Sequence, residues 1–415
     1  MSTQSASTGP LAGYRVLELG STIAGPFCGR LFADFGADVA KVEAAAGDVV
    51  RSMGRRAEGK SLWAASILRG KTNISIDLRT EAGQDLVRKM VSNIDVVIEN
   101  FRPGTLERWG LGYDDLARIN PGLVMVRISG FGQSGPYSER AGYGITTEAT
   151  SGLREIIGEE DRPPPRVNIP LTDYITGTYA AFGAVMALLA RERTGRGQVV
   201  DTALYECAFS FLEHHIPNYS VLGEVAKRAG SRQPGTAPNT LFKTRDGRYI
   251  QIAAGNDATF RRLVEVIGQP ELLDDPRFVD NISRGENIDA CEAIVAEWVG
   301  ARDLAEVEPA IIEAGVPASR IFNMQDIFAD PHFAARDMLV EREDEDLGTV
   351  TVAGIAPKLS DTPGQVGWLG RDTGADTAAV LADWAGLSDN DIAGLAADGI
   401  IYAKPIEAGK TGTDD

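Results

Sequence analysis

The residues able to do nucleophilic or acid–base chemistry are few in this chain. Histidine occurs three times, as His214, His215 and His332. Adjacent residues on a helix point about 100° apart, so His214 and His215 make a poor metal pair. Each histidine reads first as structural, and Ser-His-Asp or Cys-His catalysis has few candidates for its base. Cys28, Cys207 and Cys291 lie far apart without a CxxC pair, which suits neither a disulfide framework nor a zinc site. No metal centre is expected. Carboxylates remain. Asp173, in Leu171-Thr172-Asp173-Tyr174, directly precedes a long helical pattern. Two readings stay open there. Asp is a favoured helix N-cap, worth ~1 kcal/mol. A helix N-terminus also favours the ionised carboxylate, which can act as a nucleophile through a covalent acyl intermediate.

A second feature concerns phosphate. Arg51, Arg55, Arg56, Lys60, Arg69, Lys71 and Arg79 fall within one stretch opposed only by Glu58 and Asp77. The whole chain is acidic, with 41 basic and 59 acidic residues and a formal net charge of −18. Such a body is a poor partner for nucleic acid or anionic membrane. A local positive island on it suits a soluble phosphate-bearing ligand; a solvated helix face is the alternative. Gly20-Ser21-Thr22-Ile23-Ala24-Gly25 lacks the middle glycine of a dinucleotide fingerprint, and no P-loop is present.

These residues need elements to hold them. The 415 residues predict two or three domains. Tyr14–Leu19 reads as a buried strand, Gly25–Phe35 as a helix and Val39–Glu43 as a second strand, a βαβ opening. Ser75–Leu78, Asp95–Glu99 and Val124–Ser129 read as further strands, with a helix over Glu81–Ser92. The order is that of a Rossmann-like α/β domain with a parallel sheet. The cleanest helix spans about Tyr174–Arg193, with Ile175, Tyr179, Phe182, Met186 and Leu189 at spacings of three and four. Beyond it a hairpin turned at Asp246-Gly247 and short amphipathic helices indicate a smaller α+β domain. The expected organisation is residues 11–225 for the large domain, 230–330 for the small one, and 338–402 as a return segment completing the first. Residues 1–10 and the tail from Ala403 are polar and expected to be loose. The chain's start lacks a signal-peptide pattern, and no uninterrupted apolar run approaches ~18 residues. A cytoplasmic location is therefore expected.

With these segments in view, the chain resembles the class III CoA-transferases, the family that includes formyl-CoA transferase, carnitine CoA-transferase and 2-methylacyl-CoA racemase. The resemblance rests on an ordered set: Ala24-Gly25-Pro26, Phe35-Gly36-Ala37-Asp38-Val39, Glu99-Asn100-Phe101-Arg102-Pro103-Gly104, Gly130-Phe131-Gly132-Gln133-Ser134-Gly135-Pro136 and Thr194-Gly195-Arg196-Gly197-Gln198. It covers roughly residues 10–370. It implies an interlocked homodimer and an Asp nucleophile, which falls on Asp173. It implies CoA transfer from an acyl-CoA to a carboxylate acceptor, with CoA as substrate and no tightly bound cofactor. Ala24 matches the oxyanion donor, beside Ile23 in the acyl pocket. Gly230, Arg232 and Gln233 match a flap over the intermediate. Asn100, Phe101 and Arg102 match CoA contacts, as do Ile76, Asp77, Leu78, Arg79, Arg108 and Tyr143. The basic residue often found after the Val-Glu pair is Ala44 here, which Arg51, Arg55 or Arg56 is expected to offset. The racemase alternative needs a histidine where Tyr143 stands, and a later Glu where Gly255-Asn256 stand. A CoA-binding protein without turnover is the other alternative. The acyl group expected is succinyl or another short carboxylic acyl, with Arg232 or Arg154 pairing its distal carboxylate.

Overall fold

Short, mostly buried strands alternating with helices form a sheet covered on both faces, and that is the architecture of this computed structural model. It describes residues 9–404; residues 1–8 and 405–415, most of the ends expected to be loose, lie outside the described residues. The chain divides into two compact units. One holds the chain up to Leu153, Val167–Glu213 and the chain from His332 onward; the other holds Arg154–Arg166 and His214–Pro331. The division thus departs from the sequence reading in two ways: the second unit starts at His214, and it also takes in residues 154–166. Arg228 accounts for the second point, bonding the Glu155 carboxylate at 2.8 Å and the Glu155 and Glu159 carbonyls at 3.1 Å.

The first unit carries a seven-stranded sheet. Its strands are β1 (Arg15–Glu18), β2 (Asp38–Glu43), β3 (Thr72–Ile76), β4 (Val96–Glu99), β5 (Val124–Ser129), β6 (Val199–Ala203) and β7 (Ile401–Tyr402). They lie in the order β7-β3-β2-β1-β4-β5-β6. All neighbours are parallel except β7, which joins the edge antiparallel with Ile401 opposite Ile76. Strand order reverses between β1 and β4, so a crevice opens there at the carboxyl ends of the strands. The third strand ends at Ile76, earlier than the expected Leu78, which puts residues 77–79 in the following loop. The second unit pairs Asn239–Lys243 antiparallel with Tyr249–Ala253, and that strand with Ala318–Arg320. Its core gathers Phe242, Ile252, Phe260, Leu263, Val295 and Ile311 from this sheet and the helices on it.

Two helices of the first unit matter most, α1 (Ala24–Asp34) and, after a short α2 (Gly144–Thr150), the 24-residue α3 (Leu171–Thr194). The expected apolar stripe of α3 is not its packed face: Tyr179, Phe182, Met186 and Leu189 are exposed on this chain. The buried residues are small ones, Thr176, Gly177, Ala180, Ala184 and Ala187. Interaxial distance depends on the side chains at the contact, and these let α1 come close. Among the described residues α3 is the one helix long and apolar enough to cross a membrane, yet this face of it packs as a core helix does.

Beneath the crevice lies a buried ionic cluster. Lys71 Nζ donates to Glu18 Oε2 and to the Pro26 carbonyl, each at 2.6 Å. Lys41 Nζ pairs with Asp48 at 2.9 Å and lies 3.7 Å from Glu18 Oε1. Burial pushes the Glu18 carboxyl up and the Lys71 ammonium down. Burial would also lower Lys41, but Asp48 and Glu18 hold it above the ordinary lysine value. Removing one partner of such a pair strands a charge at a cost of ~3–5 kcal/mol. Lys71→Met is therefore expected to lose about that much stability in urea denaturation at pH 7, and Glu18→Gln/Lys71→Met to regain over half of it. An unchanged midpoint for the single variant would show that the cluster does not support the fold.

Candidate active site

The loop after β1 is fastened at every residue. Asn100 Oδ1 accepts the Ser21 N–H at 2.7 Å, and its Nδ2 donates to the Ser21 carbonyl at 2.8 Å. Asp48 Oδ1 accepts the Thr22 N–H at 3.0 Å, and Lys41 Nζ donates to the Gly20 carbonyl. Held this way, Thr22 takes φ +71°, a left-handed conformation that a β-branched residue adopts only under constraint. The chain then turns into α1. Its N-cap, Ile23, makes no side-chain cap, so the first N–H groups of the helix lack intrahelical acceptors.

Helix α3 delivers the carboxylate. A side chain at Gly177 would meet the Ala24 carbonyl at 2.9 Å and the Phe27 ring at 3.0 Å, so the glycine permits the crossing of α3 over α1. Asp173 lies one turn earlier on the same face. It is the third residue of the helix, and Pro170 holds the cap position without a side-chain bond. The N-cap reading of Asp173 is thereby set aside. Thr172 Oγ1 donates to the Gly144 carbonyl at 2.9 Å, and a methyl group on Gly144 would collide with Asp173 Oδ2. Burial pushes the Asp173 carboxyl up to about 6, with only its own backbone N–H acting the other way.

A cavity of about 190 Å³ at the crevice is lined by Ile23, Ala24, Asn100, Phe101, Arg102, Tyr143 and Asp173, together with Ser21, Thr22, Gly130 and Arg140. Seven of the expected site residues thus meet in one place. Others do not line it. Ile76 is buried at the end of β3, while Asp77 and Arg79 pair with each other at 2.8 Å. Leu78 is buried, and Arg108 donates to Thr105 Oγ1 at 3.0 Å. Gly230, Arg232 and Gln233 belong to the second unit. Arg232 bonds Glu292 at 2.7 Å and Asp289 at 2.8 Å, beside a separate cavity of about 900 Å³. A side chain at Gly230 would collide with the Glu159 carboxylate, and the Gln233 N–H donates to the Asn239 carbonyl at 3.1 Å. Arg154, in the same unit, donates to the Pro164 carbonyl at 3.2 Å.

Much of the basic island is paired with carboxylates in three dimensions. Lys71 holds Glu18, Arg69 holds Asp34, Arg51 holds Glu43 and Lys60 holds Asp344 and Asp346. Arg55 and Arg56 make no ion pair among the described residues; Arg56 donates to the Gly59 carbonyl at 2.6 Å. The sequence reading missed Gly144, Gly177 and Arg140. A glycine inside the longest helix was the available signal, because it costs ~1 kcal/mol against alanine and asks for a packing reason. Gly144→Ala is expected to keep the melting temperature within ~2 °C, since side chains alone must move, those of Asp173 and Thr172, and to lower kcat at least tenfold by turning the Asp173 carboxylate. Unchanged kcat would mean that the orientation of Asp173 is immaterial.

The sequence profile described as CoA-transferase family III matches residues 11–377. Succinyl-CoA--D-citramalate CoA-transferase of Chloroflexus aurantiacus is 45% identical over 394 residues, 94% of this chain and 98% of that protein. Succinate--glutarate CoA-transferase of Agrobacterium fabrum is 37% identical, over 90% of this chain and 95% of that one. The crystal structure of a CAIB/BAIF family protein from Brucella suis superposes with a TM-score of 0.81 at 37% identity, covering 91% of this chain and 99% of its own. The chain belongs to CoA-transferase family III and is an enzyme of the CoA-transferase type.

Proposed function

We propose that this enzyme moves CoA from succinyl-CoA to a second carboxylic acid through covalent intermediates on Asp173. The observation that carries the reading is a desolvated carboxylate with no cation against it, set in a cavity beside the open N-terminus of α1. The Asp173 carboxylate attacks the thioester carbonyl, the C–S bond breaks and CoA leaves as thiolate. The thiolate attacks the aspartyl carbonyl of the resulting anhydride, releasing succinate and leaving an aspartyl-CoA thioester. The acceptor carboxylate attacks that thioester, displacing CoA thiolate and forming a second anhydride. The thiolate then attacks the acceptor's carbonyl, which yields the new acyl-CoA and the free Asp173 carboxylate. Each step exchanges one activated acyl bond for another, so the cavity's task is to keep water out.

The Ala24 N–H serves as oxyanion donor, beside Ile23. Asn100, Phe101, Arg102, Tyr143, Arg108 and residues 76–79 serve the CoA chain, and Gly230, Arg232 and Gln233 the flap. The names of the two curated relatives favour succinate as the donor acid. We assign CoA the role of substrate, with no resident cofactor. The exposed stripe of Tyr179, Phe182, Met186 and Leu189 supports an interlocked homodimer, and three free buried thiols suit the cytoplasm.

Incubation with succinyl-CoA followed by hydroxylamine and digestion tests the mechanism. The peptide containing Asp173 is expected to gain the mass of a hydroxamate, and Asp173→Asn to show none with kcat down at least ~1000-fold; absence of any adduct with active enzyme would sink the covalent route. Two pH effects accompany this. The ratio kcat/KM is expected to rise through about pH 6 as the carboxyl ionises. A raised native pKa means the folded state binds the proton more tightly, so ionisation costs stability as pH rises from about 4 to about 6. Asp173→Asn is accordingly expected to melt higher than the unaltered enzyme at pH 7, with the difference gone below pH 4.

A further inference from the structure

Two arginines are among the residues lining the Asp173 cavity, Arg102 and Arg140, and neither makes an ion pair among the described residues. Elsewhere in the molecule Arg69, Arg127, Arg232 and Arg284 each hold a carboxylate at 2.7 Å, whereas the two at the cavity are open to an incoming anion. Asp173 does not neutralise them either, since no arginine acts on its carboxyl. The two differ in what holds them. Arg102 follows Asn100 and Phe101 on the loop that clamps Ser21. Arg140 belongs to a segment that ends against the nucleophile. Its guanidinium carbon lies 3.6 Å from the Tyr137 ring centre, and the backbone N–H of Arg140 donates to the Tyr137 carbonyl at 2.9 Å. Two residues on, Gly142 is pressed to Gly130, where an added Cβ would stand 2.8 Å from the opposing Cα. Two further on comes Gly144, against the Asp173 carboxylate. Four residues of chain place the Cα atoms of Arg140 and Gly144 at most ~14 Å apart.

We infer that Arg140 determines acyl specificity: its guanidinium receives the distal carboxylate of a dicarboxylic acyl group whose thioester carbonyl lies at Asp173. This rests on the transfer reading above and deepens it. Where one aspartate serves both halves of the exchange, departing and incoming acids occupy the same place in turn. One fixed cation there selects both as dicarboxylates. A planar guanidinium matches a carboxylate with two parallel hydrogen bonds, and a flat ring beneath it holds the fork in place. The role expected for Arg232 or Arg154 then falls to a residue of the first unit, which suits the carboxylates already bound to Arg232.

The test is calorimetric and separates binding from turnover. In the Asp173→Asn protein, Kd is measured for succinyl-CoA, for butyryl-CoA, which has the same chain length without the charge, and for CoA. Adding Arg140→Gln is expected to weaken succinyl-CoA about 10- to 100-fold, as loss of a hydrogen-bonded charge does, and to change the other two less than twofold. Arg140→Lys is expected to keep part of the preference. Equal weakening of all three ligands would assign Arg140 to the CoA portion and overturn the inference, as would no change in any. Failure of the transfer reading shows separately, as absence of the hydroxamate from enzyme retaining Asp173, and leaves the Kd ratio measurable.

Discussion

Glu18 and Lys71 meet at 2.6 Å with neither side chain exposed, and the reactive loop is built on that contact. An unpaired charge at this depth would cost several kcal/mol, so Lys71, Lys41, Glu18 and Asp48 must all stay where their partners are. Three of them also spend a hydrogen bond on backbone. Lys71 takes the Pro26 carbonyl, Lys41 the Gly20 carbonyl and Asp48 the Thr22 N–H. The cluster therefore fixes the exit of β1 and the entry of α1 together. Thr22 can be kept left-handed because the contacts around it over-determine its backbone.

The second constraint is the distance between α1 and α3. Two helices cross closely only where side chains are small, and Gly177 is the point at which the Ala24 carbonyl passes. Asp173 follows from this crossing: one turn from the contact, it faces the N-terminus of α1 from another helix. Had Leu or Met filled the crossing, the carboxylate would stand farther off and wetter. Small residues here position chemistry more than they add buried area.

Desolvation of Asp173 pulls stability and reactivity in opposite directions. Burial raises its carboxyl to about 6, and no guanidinium is spent on holding it charged. An ion pair would stabilise the resting carboxylate and blunt it as a nucleophile. The cavity's free cations, Arg102 and Arg140, are left for the anionic parts of substrates. The same surroundings that destabilise the ionised group suit acyl exchange, which needs water excluded from an anhydride.

Much of this was readable in the chain itself. The βαβ order, the long helix and the hairpin came from apolar periodicity and turn residues, which are local properties. Asp173 is marked by local chemistry, as a carboxylate at the start of a long helix, whereas Ala24, Asn100, Phe101 and Arg102 are named by the family resemblance of the segments that hold them. What failed was everything settled by partners distant in sequence. Much of the basic island is committed to carboxylates far off in sequence, as where Arg69 meets Asp34 and Lys60 meets Asp344, 35 and 284 residues away. The apolar stripe of α3 pointed outward because small residues made the closer packing. Arg140 carried no signal of its own; like Arg102 it lines the cavity and makes no ion pair among the described residues, and only the fold decides that. Propensity and periodicity are written residue by residue, but charge pairing and close helix approach are pairwise over the whole fold, so tertiary structure alone could settle them.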